Sequence, residues 1–100
     1  MITSKTNELI KHVKSLHQKK FRDEYKEYFV EGVKLINEAI SENKEIRKIL
    51  ICDELLREEF SIPSEDIVEY VAKNVFEYVS DTQSPQGILA VIKMDEFKGE

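Results

Sequence analysis

A nearly uninterrupted apolar run near the end of the chain is the feature that most constrains its fold. Residues 87–92 read Gly-Ile-Leu-Ala-Val-Ile, without a polar side chain. Alternating polar and apolar residues would indicate a strand with one solvated face, whereas a continuous run indicates a strand that is buried on both faces. The sequence therefore predicts a central strand in a sheet that has helices above and below it.

The rest of the chain alternates between segments typical of strands and of helices. Strands are predicted over residues 28–30, 46–52 and 67–71 besides the last one, and helices over 7–18, 33–41, 53–59 and 73–79. The first helix carries an apolar stripe, and Asp53 is a suitable N-cap for the third. This alternation predicts an α/β fold, a three-layer α/β/α sandwich around about four mostly parallel strands, whose order stays open.

Length and composition restrict the class of protein. One hundred residues fit one domain, and a single cysteine, Cys52, excludes an internal disulfide framework and a multi-cysteine zinc site. We interpret Cys52 as a buried, inert thiol at the end of a strand. No apolar run is long enough to span a bilayer, and the first residues lack the apolar core of a secretory signal. These features predict a cytoplasmic protein with no membrane partner.

The charge is distributed unevenly along the chain. The net charge is −5, yet residues 5–22 contain six lysines and arginines against the single acid Glu8. This basic segment therefore carries +5 and the remaining residues carry −10. Long cationic side chains on one helix face and its exit loop suit RNA phosphates, and the alternative is a solvated lysine face. Charge alone leaves both interpretations open.

No constellation of residues indicates an autonomous enzyme. The chain has neither a glycine-rich phosphate loop nor a nucleophile elbow, and the acidic residues of 58–69 are interpreted as a solvated face. His12 and His17 lie about 140° apart around a helix, so they do not form a zinc-binding pair. We interpret His17 as a partly buried core residue and His12 as a boundary residue, with RNA contact as the alternative for His12.

Three segments resemble a known family when they are taken in order. The first contains Ser4, Asn7, Lys11, Leu16 and Lys19-Lys20-Phe21-Arg22; the second is Val30-Glu31-Gly32 with Lys34; and the third runs from Ser80 through Pro85-Gln86-Gly87-Ile88. Together they resemble the substrate-binding domain of SpoU-type (TrmH-type) RNA ribose 2′-O-methyltransferases, over essentially the whole chain.

The resemblance implies a fold similar to that of the kink-turn-binding ribosomal proteins. It implies that residues 1–100 are an RNA substrate-binding domain, and that a knotted catalytic domain follows residue 100. That absent domain would bind S-adenosylmethionine, so this segment is expected to hold no cofactor and to methylate nothing. The implied partners are rRNA or tRNA and the chain's own catalytic domain, within a bacterial protein that is a homodimer. The alternative is a protein-interaction module that docks or dimerises the catalytic domain.

The resemblance also implies which residues contact RNA. Asn7, Lys11, Lys19, Lys20 and Arg22 match the polar and basic positions of the family motif, Lys14 shares the basic helix face, and Lys34 and Gln86 are further candidates. Asn7 could instead cap the first helix. Glu31 is expected to be structural, with an ion pair to Arg22 or Lys34 as a possibility, and Gly87 is expected to meet a backbone requirement. The acidic part of the chain is expected to face away from the RNA.

Overall fold

The computed structural model describes residues 1–95 as four α-helices packed on a four-stranded sheet. The helices are α1 (Glu8–Ser15), α2 (Lys19–Tyr25), α3 (Val33–Ser41) and α4 (Lys73–Val79); the strands are β1 (Glu27–Glu31), β2 (Ile46–Ile51), β3 (Val68–Tyr70) and β4 (Ile88–Lys93); and a 3₁₀ turn covers Glu65–Ile67. None of the helices within residues 1–95 has the length and apolar character that crossing a bilayer requires.

The apolar run at the end of the chain is the central strand, as predicted. The strand order is β1-β4-β2-β3, and residues Ile88–Ile92 of β4 are buried. The prediction of mostly parallel strands is wrong, because β4 is antiparallel to both β1 and β2 and only β2 and β3 pair in parallel.

The path of α4 explains the antiparallel direction of β4. α4 follows β3 at one edge of the sheet, and Ser80 at its end donates a hydrogen bond to Glu31 at the end of β1, the opposite edge. Ile88 at the start of β4 pairs with Ile51 at the end of β2. Because α4 crosses the sheet without returning the chain to the other end of the strands, β4 begins where β3 ended.

The helices cover both faces of the sheet and confirm the three-layer architecture. α1 and α4 pack on one face, in a cluster that contains Ile10, Leu16, Phe76, Leu50 and Leu89. α3 packs on the other face, in a cluster that contains Ile36, Ile49, Ile51, Ile88 and Ala90. Cys52 is 1% exposed in the first cluster, as expected of a buried thiol.

The helix predictions are wrong around the end of the first helix and at residues 53–59. The first helix ends at Ser15, not at 18, and a second helix that was not predicted, α2, follows at Lys19. α2 buries no residue, so it lacks the apolar stripe that predicts a helix. It is stabilised by pairs four residues apart, the Lys19–Asp23 ion pair and the stacked rings of Phe21 and Tyr25.

No helix forms over residues 53–59, where a turn packs against Gly87. The amides of Leu55 and Leu56 donate to the carbonyl of Cys52, and a Cβ atom at position 87 would lie 2.4 Å from the Leu56 nitrogen. Gly87 also has a φ of 86°, a conformation that residues with a Cβ atom rarely adopt. The expected backbone requirement at Gly87 is therefore confirmed.

Candidate nucleic-acid interface

Strand β1 positions the end of α1 and the loop after α4. The β1 residues that contact the α1–α4 layer are Glu27, Phe29 and Glu31, which alternate along the strand with Tyr28 and Val30. The Glu27 carboxylate accepts a hydrogen bond from His12 Nε2 at 2.5 Å, the Phe29 and His17 rings lie 5.1 Å apart, and Glu31 accepts from Ser80 Oγ at 2.7 Å. Both histidines therefore make structural contacts, as expected for His17, and RNA contact by His12 stays a prediction.

His17 connects the end of α1 to the end of α4. Its Nε2 atom donates to the Val79 carbonyl at 2.7 Å, and its Nδ1 atom lies 3.6 Å from the carboxylate of Asp81. Because the Nε2 contact is to a carbonyl, that nitrogen carries the hydrogen. No group of three His, Cys, Asp or Glu side chains within residues 1–95 is arranged to hold a metal ion.

The Arg22 side chain binds the backbone of the two residues that follow α1. Its Nη1 atom donates to the carbonyls of Leu16 and His17, both at 2.9 Å. A guanidinium has five N–H donors, so this arrangement leaves further donors for a ligand. Beside it lies a cavity of about 240 Å³, which is lined by Leu16, His17, Arg22, Tyr28, Phe29 and Asp81. Arg22 is thus both a structural residue and a cation at the rim of a partly aromatic cavity.

Two lysines of the basic segment meet at one tyrosine of α4. Lys14 Nζ lies 4.6 Å from the centre of the Tyr78 ring and donates to the Tyr78 carbonyl at 2.9 Å. Lys5 Nζ lies 5.2 Å from the same ring centre. Neither Lys5 nor Tyr78 was a predicted site residue, although Lys5 belongs to the basic segment.

The other predicted cations of the N-terminal half lie on the surface. Lys11 is 3.4 Å from Glu8, Lys19 is 2.6 Å from Asp23, and the Lys20 ammonium is 4.9 Å from the centre of the Phe21 ring. The hydrogen bond from Lys19 lowers the pKa of Asp23. Exposed ion pairs of this kind stabilise little, so these ammonium groups can exchange partners at small cost.

Asn7 caps α1, one of the two alternatives for this residue. Its Oδ1 atom accepts hydrogen bonds from the amides of Leu9 at 2.9 Å and Ile10 at 3.3 Å. A carboxamide cap satisfies amides that have no partner within the helix. The cap accounts for an asparagine at this position, and RNA contact by Asn7 stays a prediction.

Lys34 and Gln86 lie at the β1–α3 joint rather than with the cations of α1. Gly32, with a φ of 103°, precedes α3, and a Cβ atom there would lie 2.5 Å from Oε1 of Gln86. The Glu31 carboxylate also accepts a hydrogen bond from the backbone N–H of Gln86 at 2.9 Å. Across the described residues Glu31 forms no ion pair with Arg22 or Lys34, so that possibility is wrong. The carboxylate instead binds the loop of residues 80–86 to β1, as a structural residue does.

The sheet separates the basic segment from the acidic residues 58–66. Phe60, Ile62 and Ile67, which flank those acids, pack into the cluster of the α3 face. The basic segment contributes α1, which covers the opposite face. Layers in such a sandwich are about 10 Å apart, and charges are screened over about 8 Å at physiological salt. The four acids of this stretch therefore lie away from the α1 side. Asp81, by contrast, lies beside Arg22 at the cavity, so the expectation for the acidic part as a whole stays a prediction.

The sequence matches a family model from residue 7 to residue 90, described as the MRM3-like substrate binding domain. The chain belongs to this family. It is 35% identical over 101 aligned positions to the 23S rRNA (guanosine(2553)-2′-O)-methyltransferase RlmP of Bacillus subtilis. The alignment covers 97% of this chain but 39% of that relative, so the chain spans well under half of its length.

The solved structures with a similar fold include RNA methyltransferases. A crystal structure of an RNA 2′-O ribose methyltransferase superposes with a TM-score of 0.80 at 26% identity, covering 99% of this chain and 39% of that one. An AdoMet-bound rRNA methyltransferase from Sinorhizobium meliloti superposes with a TM-score of 0.73 at 23% identity, covering 94% and 36%. The second likeness shows the fold alone. The predicted SpoU/TrmH resemblance is confirmed.

Proposed function

We propose that this chain recognises RNA for an S-adenosylmethionine-dependent ribose 2′-O-methyltransferase that acts on rRNA or tRNA. The observation that carries the proposal is membership of a substrate-binding domain family over residues 7–90. The Bacillus subtilis relative, named for an rRNA 2′-O-methyltransferase, supports the same substrate class. The chain itself supplies no catalytic residue and no cofactor site in this proposal. Because the chain covers 39% of its Bacillus subtilis relative, we place it within a longer bacterial, cytoplasmic homodimer in which a separate knotted catalytic domain would bind the cofactor.

The arrangement of cations supports RNA as the ligand. Helix α2 carries Lys19, Lys20 and Arg22, and Arg22 lines a cavity that also contains the aromatic rings of Tyr28 and Phe29. Lysines bind phosphates as point charges, and an arginine can bind a phosphate with two N–H groups or stack on a base. The acidic residues of 58–66 lie on the other side of the sheet, where they oppose phosphate binding least.

Salt dependence of binding tests the proposal. We expect a labelled 23S rRNA fragment to bind with a log–log salt slope on the order of −2 to −4, because each phosphate contact releases counterions. The double variant Lys19→Gln/Lys20→Gln should reduce the magnitude of that slope by roughly 1.4 to 1.8, about 0.7–0.9 per contact. Arg22 is left intact because its truncation would also open the end of α1.

The matched control is Lys48→Gln/Lys73→Gln, which removes two lysines outside the basic segment. We expect it to keep the slope of the unmodified chain. A flat salt response of the unmodified chain, or equal slopes for both double variants, would contradict RNA recognition by the basic segment. A flat response would favour the alternative, a module that docks the catalytic domain.

A further inference from the structure

A tyrosine between two lysines forms a second place on this surface where RNA could bind. We propose that Tyr78, Lys5 and Lys14 form a stacking site for one base of single-stranded RNA, with the lysines on the flanking phosphates. This inference rests on the proposed function and names the form of RNA that this part of the surface accepts. The three residues are called the Tyr78 site below.

The Tyr78 ring is on the surface rather than in the core. The residue is 37% exposed near the end of α4, where its neighbours Phe76 and Val79 fill the core. The Tyr78 ring therefore contributes less to core packing than Phe76 and Val79 do. Two lysine ammonium groups lie within 5.2 Å of the centre of the ring. Exposed aromatic rings among cations are typical of single-strand binding sites, since every base has a face that can stack.

The two lysines differ in how firmly they are held. Lys14 is half-buried and donates to the Tyr78 carbonyl, so its ammonium is fixed beside the ring. Lys5 is exposed, and within residues 1–95 its ammonium group contacts the Tyr78 ring. An exposed cation–π contact is weak. A base can therefore displace the Lys5 ammonium from the ring and release it to a neighbouring phosphate.

Single strands fit this site better than duplexes. In an A-form helix the bases are stacked on one another and their faces are covered, so a flat ring has no base face to contact. A single strand can turn one base out at little cost. The Tyr78 site also lies on α1 and α4, the face that carries the basic segment, so one strand could contact Tyr78 and the end of α1 together.

Direct binding measurements test this proposal. The probes are a fluorescein-labelled single-stranded RNA of twelve nucleotides and a blunt duplex of the same sequence. Tyr78→Leu should weaken binding of the single strand roughly five- to a hundred-fold, the range that loss of one base stack produces. Tyr78→Phe should bind within about twofold of the unmodified chain, because it keeps the ring. Duplex affinity should be unchanged in both variants.

Two further variants keep the test independent of folding. Tyr70→Leu, which truncates a tyrosine that is 38% exposed on β3, should leave affinity unchanged. Lys5→Gln removes only an exposed side chain and should reduce the magnitude of the single-strand salt slope by about 0.7. Lys48→Gln serves as its control.

The outcomes separate this inference from the proposed function. Binding that depends on Lys19 and Lys20 but is unchanged by Tyr78→Leu and Lys5→Gln would overturn the Tyr78 site alone. Equal losses for single strand and duplex in Tyr78→Leu would also overturn it, since stacking requires an open base face. No binding of either RNA by the unmodified chain would overturn both proposals. A loss confined to the single strand, with Tyr70→Leu unaffected, would support the site.

Discussion

Replacing Glu27 by glutamine should destabilise the fold, because this carboxylate is buried between two donors. The Glu27 side chain is 9% exposed and accepts hydrogen bonds from His12 at 2.5 Å and from Arg47 at 2.7 Å. Arg47 lies at the register shift between Ile46 and Lys48 where β2 pairs with β4. Such a bulge redirects a side chain, and here Arg47 contacts Glu27 across the width of β4.

The size of the effect follows from these contacts. A hydrogen bond to a charged group contributes about 1.5–3 kcal/mol, and a neutral one about 0.5–1.5 kcal/mol. Glutamine keeps the shape but loses the charge, so each of the two bonds weakens by about 1 kcal/mol. We therefore expect the free energy of unfolding to fall by about 2 kcal/mol at pH 7. In a domain of this size that corresponds to a Tm lower by about 8–16 °C.

The pH dependence gives a second, independent readout. Burial raises the pKa of Glu27, but the hydrogen bonds from Arg47 and His12 outweigh burial, and the pKa is lowered overall. A carboxylate with a lowered pKa stabilises the fold above its unfolded pKa, about 4.3, and this contribution is lost as pH falls through the folded value. The difference between the original chain and Glu27→Gln should therefore stay constant above the unfolded pKa and shrink as pH falls below about 4.3 toward the lowered folded pKa.

Urea and thermal unfolding followed by circular dichroism, at several pH values, measure both effects. Glu45→Gln is the matched control, because exposed Glu45 binds the same Arg47 at 3.0 Å and should change stability by less than about 0.5 kcal/mol. The reasoning is refuted if Glu27→Gln unfolds like the original chain at pH 7. It is equally refuted if the difference between the two persists unchanged at pH 3.

Three further outcomes follow from the structure. Gly87→Ala should cost at least about 1–3 kcal/mol in urea unfolding, because a Cβ atom meets both an unfavourable φ and the Leu56 backbone; unchanged stability would contradict that packing. Asn7→Ala should lower stability by about 1 kcal/mol through loss of the cap, whereas Asn7→Asp should retain it. Glu58→Lys/Glu59→Lys should strengthen RNA binding at about 0.01 M salt, where screening extends about 30 Å, but not at 0.15 M; an equal gain at both would place these acids beside the RNA.

Local sequence patterns predicted most elements, and contacts between distant residues decided the rest. The apolar run of β4 and the stripe of α3 are visible in short windows, so both were predicted correctly. α2 has no stripe, and its pairs at i and i+4, Lys19–Asp23 and Phe21–Tyr25, were the available signal. The direction of β4 depends on the path of α4 across the sheet, which no short window contains.

The candidate site shows the same limit. Charge counting located the cations of α1 and α2, because they are close in sequence. It did not locate Tyr78, since Lys14 and Tyr78 are 64 residues apart and meet only when α1 packs beside α4. The predicted partners of Glu31 were wrong for the same reason, because Ser80 and Gln86 approach it only after β4 pairs with β1.

Strand β1 connects the fold to the proposed function. Its residues Glu27, Phe29 and Glu31 contact, in order, His12 in α1, His17 two residues after α1, and Ser80 in the loop after α4. Each contact joins this strand to a segment that carries candidate RNA-binding residues. A polar contact in the core costs desolvation unless it is fully paired, and no buried side-chain nitrogen or oxygen lacks a partner within residues 1–95. The polar residues of β1 therefore hold α1 and the loop after α4 in fixed positions relative to the sheet, and the proposed RNA-binding function requires such a preformed surface.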